Sequence, residues 1–194
     1  MRLLLMSLLF GAVFVQASCT DDGDDDPDDG GDTRTTVARA DPTVIGQDVS
    51  FPSKGYSARI PQGWTFDPNA IVFGNLSSDL FLAPAGADPV QASIAVTCET
   101  IPAALSLQEY VEAKTATLEE LTGSELTPRT VQVSGQEASQ VEYGQTREDI
   151  TLSRRDVITV EDECAWSISL SAPGGQLADY EDVFNSFLAE FVFT

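Results

Sequence analysis

The sequence predicts an α+β domain: an antiparallel sheet with two principal helices packed on it. Three observations carry the fold class. Hydrophobic residues alternate with period two through most of residues 49–194, two segments switch to helical spacing, and several strands follow one another with no helix between them. Strands joined directly by turns pair antiparallel, whereas parallel pairs need long crossover connections. A chain of 194 residues suits one such domain with a tail. A body of about 150 residues buries roughly 70% of its unfolded surface, enough for a core without metal or dense disulfides.

The tail comes first. Residues 1–18 read MRLLLMSLLFGAVFVQAS, with Arg2 as a basic start, an apolar run from Leu3 to Val15, and a small, polar exit at Gln16, Ala17 and Ser18. A stable membrane span needs about 20 apolar residues, so a run of this length reads as a secretory signal peptide. Cys19 follows directly. Ala17, Ser18 and Cys19 resemble the lipobox of bacterial lipoproteins, in which the Cys is acylated and becomes the mature N-terminus. Gln16 departs from that pattern, since the family carries Leu, Val or Ile there and Val15 lies one residue early. The resemblance implies lipidation at Cys19 and attachment to the membrane, held firmly where more than one chain is added. The alternative is ordinary cleavage after Ala17, guided by Val15 and Ala17, which would release a soluble protein.

Residues 20–33 (TDDGDDDPDDGGDT) contain eight Asp, three Gly and one Pro, with no aliphatic or aromatic side chain. Mutual repulsion extends such a segment and leaves nothing to pack. A calcium loop of the EF-hand type needs Asp at positions 1, 3 and 5 and Gly at 6. Asp24, Asp26 and Asp28 supply the first three, but Asp29 occupies the sixth position, Gly30 arrives one late and Pro27 stiffens the interior. The tract therefore reads as a solvated spacer with weak, diffuse attraction for cations. Residues 34–48 remain poor in large apolar groups, so 19–48 reads as a disordered acidic linker and 49–194 as the folded domain. As a flexible coil the linker would reach on the order of 30 Å.

Within the body, Gly55–Ile60, Ile71–Phe73, Leu80–Leu82 and Ala92–Val96 are short apolar or alternating runs separated by Gly, Asn, Asp and Pro. That is a series of strands joined by turns. Residues 106–121 begin Ser-Leu-Gln-Glu, a capping box in which Ser106 and Glu109 satisfy each other's backbone amides. Leu107, Tyr110, Val111, Lys114, Leu118 and Leu121 form one helical stripe, with the Lys114 ammonium expected to reach off it to solvent, and Gly123 marks the stop. Four more strands follow: Thr130–Ser134, Glu137–Gly144, Ile150–Val160 and Cys164–Ser171. In the last, Ala165, Ser167, Ser169 and Ser171 alternate with Trp166, Ile168 and Leu170, which predicts one apolar and one solvated face. A second helix is expected over 176–189, with Leu177, Tyr180, Val183, Phe184, Phe187, Leu188 and Phe191 on its apolar face.

The segment Gly55-Tyr-Ser-Ala-Arg-Ile-Pro-Gln-Gly-Trp64 resembles the opening strand-to-Trp motif of the PsbP-like (Mog1/PsbP/DcrB) superfamily. Asn185-Ser-Phe-Leu-Ala-Glu-Phe191 resembles its closing Ser-Phe helix. The likeness covers about residues 50–194 and rests on short structural motifs. It implies an exported accessory or binding protein and transfers no catalytic residue. One fold hosts unrelated functions, so it implies no photosynthetic role.

Composition narrows the chemistry further. The chain holds 10 Lys+Arg against 31 Asp+Glu, and residues 50–194 alone hold 7 against 21, a net of −14. Such a charge repels a phosphate backbone, so nucleic acid is not an expected partner. It also keeps a surface soluble where salt screens self-repulsion, as in a saline habitat. The absence of His removes Ser-His-Asp and Cys-His catalysis and His-ligated zinc. Glu161-Asp-Glu163 reads as a solvated hairpin tip. Arg154 and Arg155 are neighbours on one strand and must face opposite ways, one of them toward solvent or a nearby acid. No catalytic residue, metal ligand or cofactor is expected, and the ligand-binding residues are unknown. With Cys19 acylated, Cys98 and Cys164 remain as a candidate disulfide in an oxidising compartment, with separate buried thiols as the alternative. The resulting expectation is an exported, membrane-anchored lipoprotein with a non-catalytic accessory or binding domain and an unidentified envelope partner. The alternative is a secreted module that binds a ligand or calcium.

Overall fold

The computed structural model describes residues 45–51, 54–73, 76–86, 88, 90–147 and 149–194. The leader, Cys19 and the Asp tract lie outside them. Ten strands and two α-helices appear among the described residues, in two antiparallel sheets. The larger sheet orders its strands β3 (Thr65–Phe73), β4 (Leu76–Leu82), β5 (Ser93–Thr100), β9 (Cys164–Pro173), β8 (Ile150–Glu161), β7 (Gln136–Arg147) and β6 (Arg129–Val133). The smaller one orders β1 (Ile45–Phe51), β2 (Tyr56–Pro61) and β10 (Val192–Phe193). Helices α1 (Leu107–Thr122) and α2 (Glu181–Glu190) complete the domain. Sheet dominates, more than a plain picture of two helices on a sheet conveys, and the second sheet was not among the expectations.

Alternation along β8 and β9 assigns the layers. Val157, Trp166, Ile168 and Leu170 belong to the main core, which also holds Phe184 and Phe187 of α2 and Tyr56 and Ala58 of β2. Ile158 and Ala165, one residue out of phase, belong to a smaller cluster with Tyr110 and Val111 of α1. Successive strand residues point to opposite faces. Helix α2 and the small sheet therefore cover one face of the large sheet, and α1 covers the other. The main core is strongly aromatic. Phe187 meets Phe81 edge-on with centroids 4.9 Å apart, and Tyr56 stacks on Phe191 at 5.1 Å.

Local chemistry explains the boundaries. The Ser106–Glu109 capping box is formed as expected, and Gly123 closes α1 in the left-handed conformation at φ 67°, where its amide donates to the Glu119 carbonyl. The second helix differs from its expectation: residues 177–180 form a 3-10 turn, and the α-helix begins at Glu181. Phe191, expected on the helix face, lies just past its end in extended backbone, yet is 1% exposed. The extended backbone there turns the chain into β10, which pairs with β2. Strand β1 starts at Ile45, so residues 45–48, read as linker, are part of the sheet. Asp48 pairs with Arg59 across to β2. Gly46 permits that pairing, because a Cβ there would sit 2.5 Å from the Ile60 carbonyl oxygen. Pro68 sits where the β3–β4 register shifts, on an edge strand that can spare an amide.

Candidate functional site

The face of the large sheet toward α1 is polar over much of its area. Ser78 and Thr97 are 1% and 5% exposed and share a hydrogen bond of 2.7 Å between β4 and β5. Ser167 and Ser169 of β9 are likewise buried. This corrects the expectation that the serine side of β9 faces solvent. Short polar side chains on a strand report only that the face is not greasy, and a helix laid across it buries them.

Charged groups collect in the same layer. From α1, Tyr110 donates to Glu99 of β5 at 2.6 Å, and the Lys114 ammonium donates to Ser167 at 2.9 Å while lying 5.8 Å from the Tyr110 ring centre. Lys114 thus points into the interface and not out to solvent, contrary to the sequence reading. From β7, Tyr143 donates to Asp156 of β8 at 3.1 Å. The Arg154 guanidinium lies 5.7 Å from the Tyr143 ring centre. Asp156 is 2% exposed. Three buried polar atoms in this layer have no hydrogen-bond partner: Thr115 Oγ1, Arg154 Nε and Asp156 Oδ1.

Burial sets the electrostatics. It pulls the Lys114 ammonium below its ordinary pKa, with Arg154 pushing the same way and Asp156 and Glu99 opposing. Burial raises the Tyr110 phenol well above its ordinary value, reinforced by its hydrogen bond to Glu99. It raises the Tyr143 phenol too, reinforced by the charge of Asp156. Both tyrosines are therefore neutral donors over the physiological range. The layer orders polar and charged groups away from solvent, and the chain supplies no His to it. Among the described residues no three Cys, Asp or Glu side chains converge as a metal site.

The opposite face carries two separate polar ties. Asp79 of β4, 2% exposed, accepts from the Tyr56 hydroxyl and from Lys54, pinning the small sheet to the large one. Burial, aided by that bond, raises the Tyr56 phenol as well. Arg155 donates to Glu142 at 2.9 Å and to Glu181 at 3.2 Å, joining β8, β7 and α2. The arginine pair is thus split as strand geometry requires, Arg155 to acids on one side and Arg154 beneath α1 on the other.

Of the residues singled out from sequence, Cys98 and Cys164 are brought together. Cys98 sits opposite Trp166 and Cys164 opposite Thr100, so the two are diagonal neighbours on β5 and β9, with Cα atoms 5.6 Å apart and the sulfurs paired. Cys19 lies outside the described residues. The Glu161-Asp-Glu163 turn is a hairpin tip, with Asp162 at φ 55°. Sequence reasoning missed the polar layer. The one available signal was Asp156 and Arg154 falling in phase with Ile158 on β8, which marks a charged pair on a face that also carries core.

No protein-family model matches the chain, and no curated protein sequence matches it. Solved structures do. The solution structure of cyanobacterial PsbP from Synechocystis sp. PCC 6803 superposes with a TM-score of 0.56 at 16% identity, covering 76% of this chain and 92% of that one. LpqN of Mycobacterium tuberculosis, described as involved in cell envelope biogenesis, gives 0.55 at 13%, covering 77% and 85%. PA94 of Pseudomonas aeruginosa, a protein of unknown function, gives 0.51 at 19%, covering 73% and 91%. At these identities the likeness speaks to fold alone. The described residues adopt a PsbP-like fold.

Proposed function

We propose that the protein is an exported lipoprotein, anchored to the membrane through Cys19, whose PsbP-like body serves as a non-catalytic accessory or binding module at the cell envelope. The observation that carries this reading is the order of parts along the chain. An apolar leader is followed by Gln16 and Ala17-Ser18-Cys19, then by an Asp-rich spacer, and only then by a folded body. A spacer that cannot pack sets the body away from the surface, where a partner can reach it. Two findings support it. The pairing of Cys98 with Cys164 suits an oxidising compartment outside the cytosol. The fold is shared with LpqN, described as involved in cell envelope biogenesis.

The test is the fate of Cys19. Mass analysis of the mature protein is expected to show an acylated Cys19 as the first residue, and Cys19→Ala to move the protein from the membrane fraction into the soluble one. A mature chain beginning at Ser18 with a free thiol at Cys19 would refute anchoring and leave the secreted module.

A further inference from the structure

We propose that the polar layer beneath α1 is a binding site for a small zwitterion, whose anionic end is held by Arg154 and whose cationic end is held by Asp156. The proposal goes beyond the envelope reading and does not depend on lipid anchoring.

Three observations define the ligand. The first is the set of unmet hydrogen bonds: Arg154 Nε needs an acceptor, Asp156 Oδ1 needs a donor, and Thr115 Oγ1 can serve either way. Buried polar groups in native proteins are nearly always satisfied, so a set of three in one layer calls for a partner. Asp156 is 2% exposed, so bulk water does not supply it. The second is their placement. Arg154 and Asp156 are two residues apart on β8, on one strand face, with Cα atoms about 7 Å apart. Both touch Tyr143, the carboxylate through the phenol at 3.1 Å and the guanidinium over the ring at 5.7 Å. A donor and an acceptor of opposite charge thus flank one aromatic ring.

The third is charge balance. Glu99 and Asp156 stand against Lys114 and Arg154, and the four act on one another or on their shared neighbours across the layer. A guest with net charge would leave that charge uncompensated in a poorly solvated place. A guest that is neutral overall avoids the penalty, and one that carries both charges makes stronger hydrogen bonds to the two ionised groups than a hydroxyl or an amide does. Helix α1 supplies the route in. Its apolar anchor lies in its first half, at Leu107, Tyr110 and Val111, packed with Ile101 and Ile158. Toward its end Leu118 is only half-buried and Leu121 is 50% exposed, so that end of the helix is lightly held.

The experiment uses the full mature protein, with thermal unfolding and calorimetry in glycine and β-alanine as zwitterions, against acetate, glycinamide and glycerol. At least one zwitterion is expected to raise the unfolding temperature saturably, as selective binding to the folded state requires, and to slow hydrogen exchange in the last turns of α1. The three controls are expected to do neither. Arg154→Gln is expected to weaken zwitterion binding about tenfold or more, the loss expected of a charged hydrogen bond, with Thr115→Val weakening it less. Asp156→Asn should act like Arg154→Gln; where it fails to fold, Arg154→Gln and the exchange measurement decide. No saturable response to either zwitterion overturns the proposal. So does a response to acetate or glycerol alone, an undiminished affinity in Arg154→Gln, or a crystal grown in glycine in which water alone bridges the three atoms.

Discussion

Replacing both Cys98 and Cys164 with Ala tests the bridge and the compartment together. The pair is separated by 66 residues and encloses α1, β6, β7 and β8. Closing a loop of that length removes chain entropy from the unfolded state equivalent to about 4 kcal/mol at 25 °C. The native state loses less, because β5 and β9 stay paired over eight residue pairs from Ser93 to Thr100 and hold the strands without the bridge. A domain of this size is stable by about 5–15 kcal/mol, so the variant should remain folded but with little margin. Urea unfolding followed by tryptophan fluorescence is a suitable assay. Trp166 lies opposite Cys98 in the sheet and Trp64 is buried in the main core. With a slope of about 2 kcal/mol per molar, the midpoint should fall by about 2 M. The slope itself should rise slightly, since the unbridged chain unfolds to a more open state. Reductant should bring the unaltered protein to the same curve and leave the variant unmoved. The reasoning fails where reductant has no effect on the unaltered protein, or where its unfolded form exposes both thiols to a thiol reagent with no reductant present.

Three further outcomes follow. Tyr56, Tyr110 and Tyr143 have folded-state phenol pKa values raised above 10.0, so the stability they confer is complete below that pH and is lost as pH climbs through and beyond it. Their phenolate absorbance should appear only together with loss of the far-ultraviolet signal; reversible titration of all the tyrosines near pH 10 with structure intact would refute their burial. Arg155→Met should cost about 1–2 kcal/mol in chemical denaturation, because it removes two charged hydrogen bonds while Glu142 and Glu181, 43% and 48% exposed, keep their hydration. A loss near that of a fully buried pair would show the carboxylates to be drier than they appear. Finally, five of the seven cations in the body are committed to acids or drawn beneath α1. The exposed charge is thus overwhelmingly negative, and the melting temperature should rise from low to moderate salt as repulsion is screened. An unchanged or falling value would contradict that picture.

Segment-level features were readable in the chain. The four strands after α1 fall within a few residues of their expected spans, and Ser106 and Glu109 announce the start of the helix because a capping box is closed by residues three apart. The same locality explains the failures. Leu121 completes a helical stripe on paper, yet is half exposed; the buried apolar cluster between α1 and the sheet gathers at Tyr110 and Val111, in the first half of the helix. Phe191 fits the helical period and leaves the helix all the same, since Phe191 stacks on Tyr56 and the residues after it pair with β2. The polar layer was illegible for a related reason. Ser167 and Ser169 look like a solvated face until α1, more than forty residues earlier, is laid over them.

Sequence alone determined the coarse class of fold, the succession of strands and helices among the described residues and the absence of histidine chemistry. Each depends on composition or on spacings of a few residues, which act within one segment. Tertiary structure alone decided that a second sheet forms, which face each of Arg154 and Arg155 serves, that Lys114 points inward and that three buried polar atoms are left without partners. Those outcomes depend on which surfaces cover one another, and such contacts join residues tens of positions apart, where no local periodicity can register them.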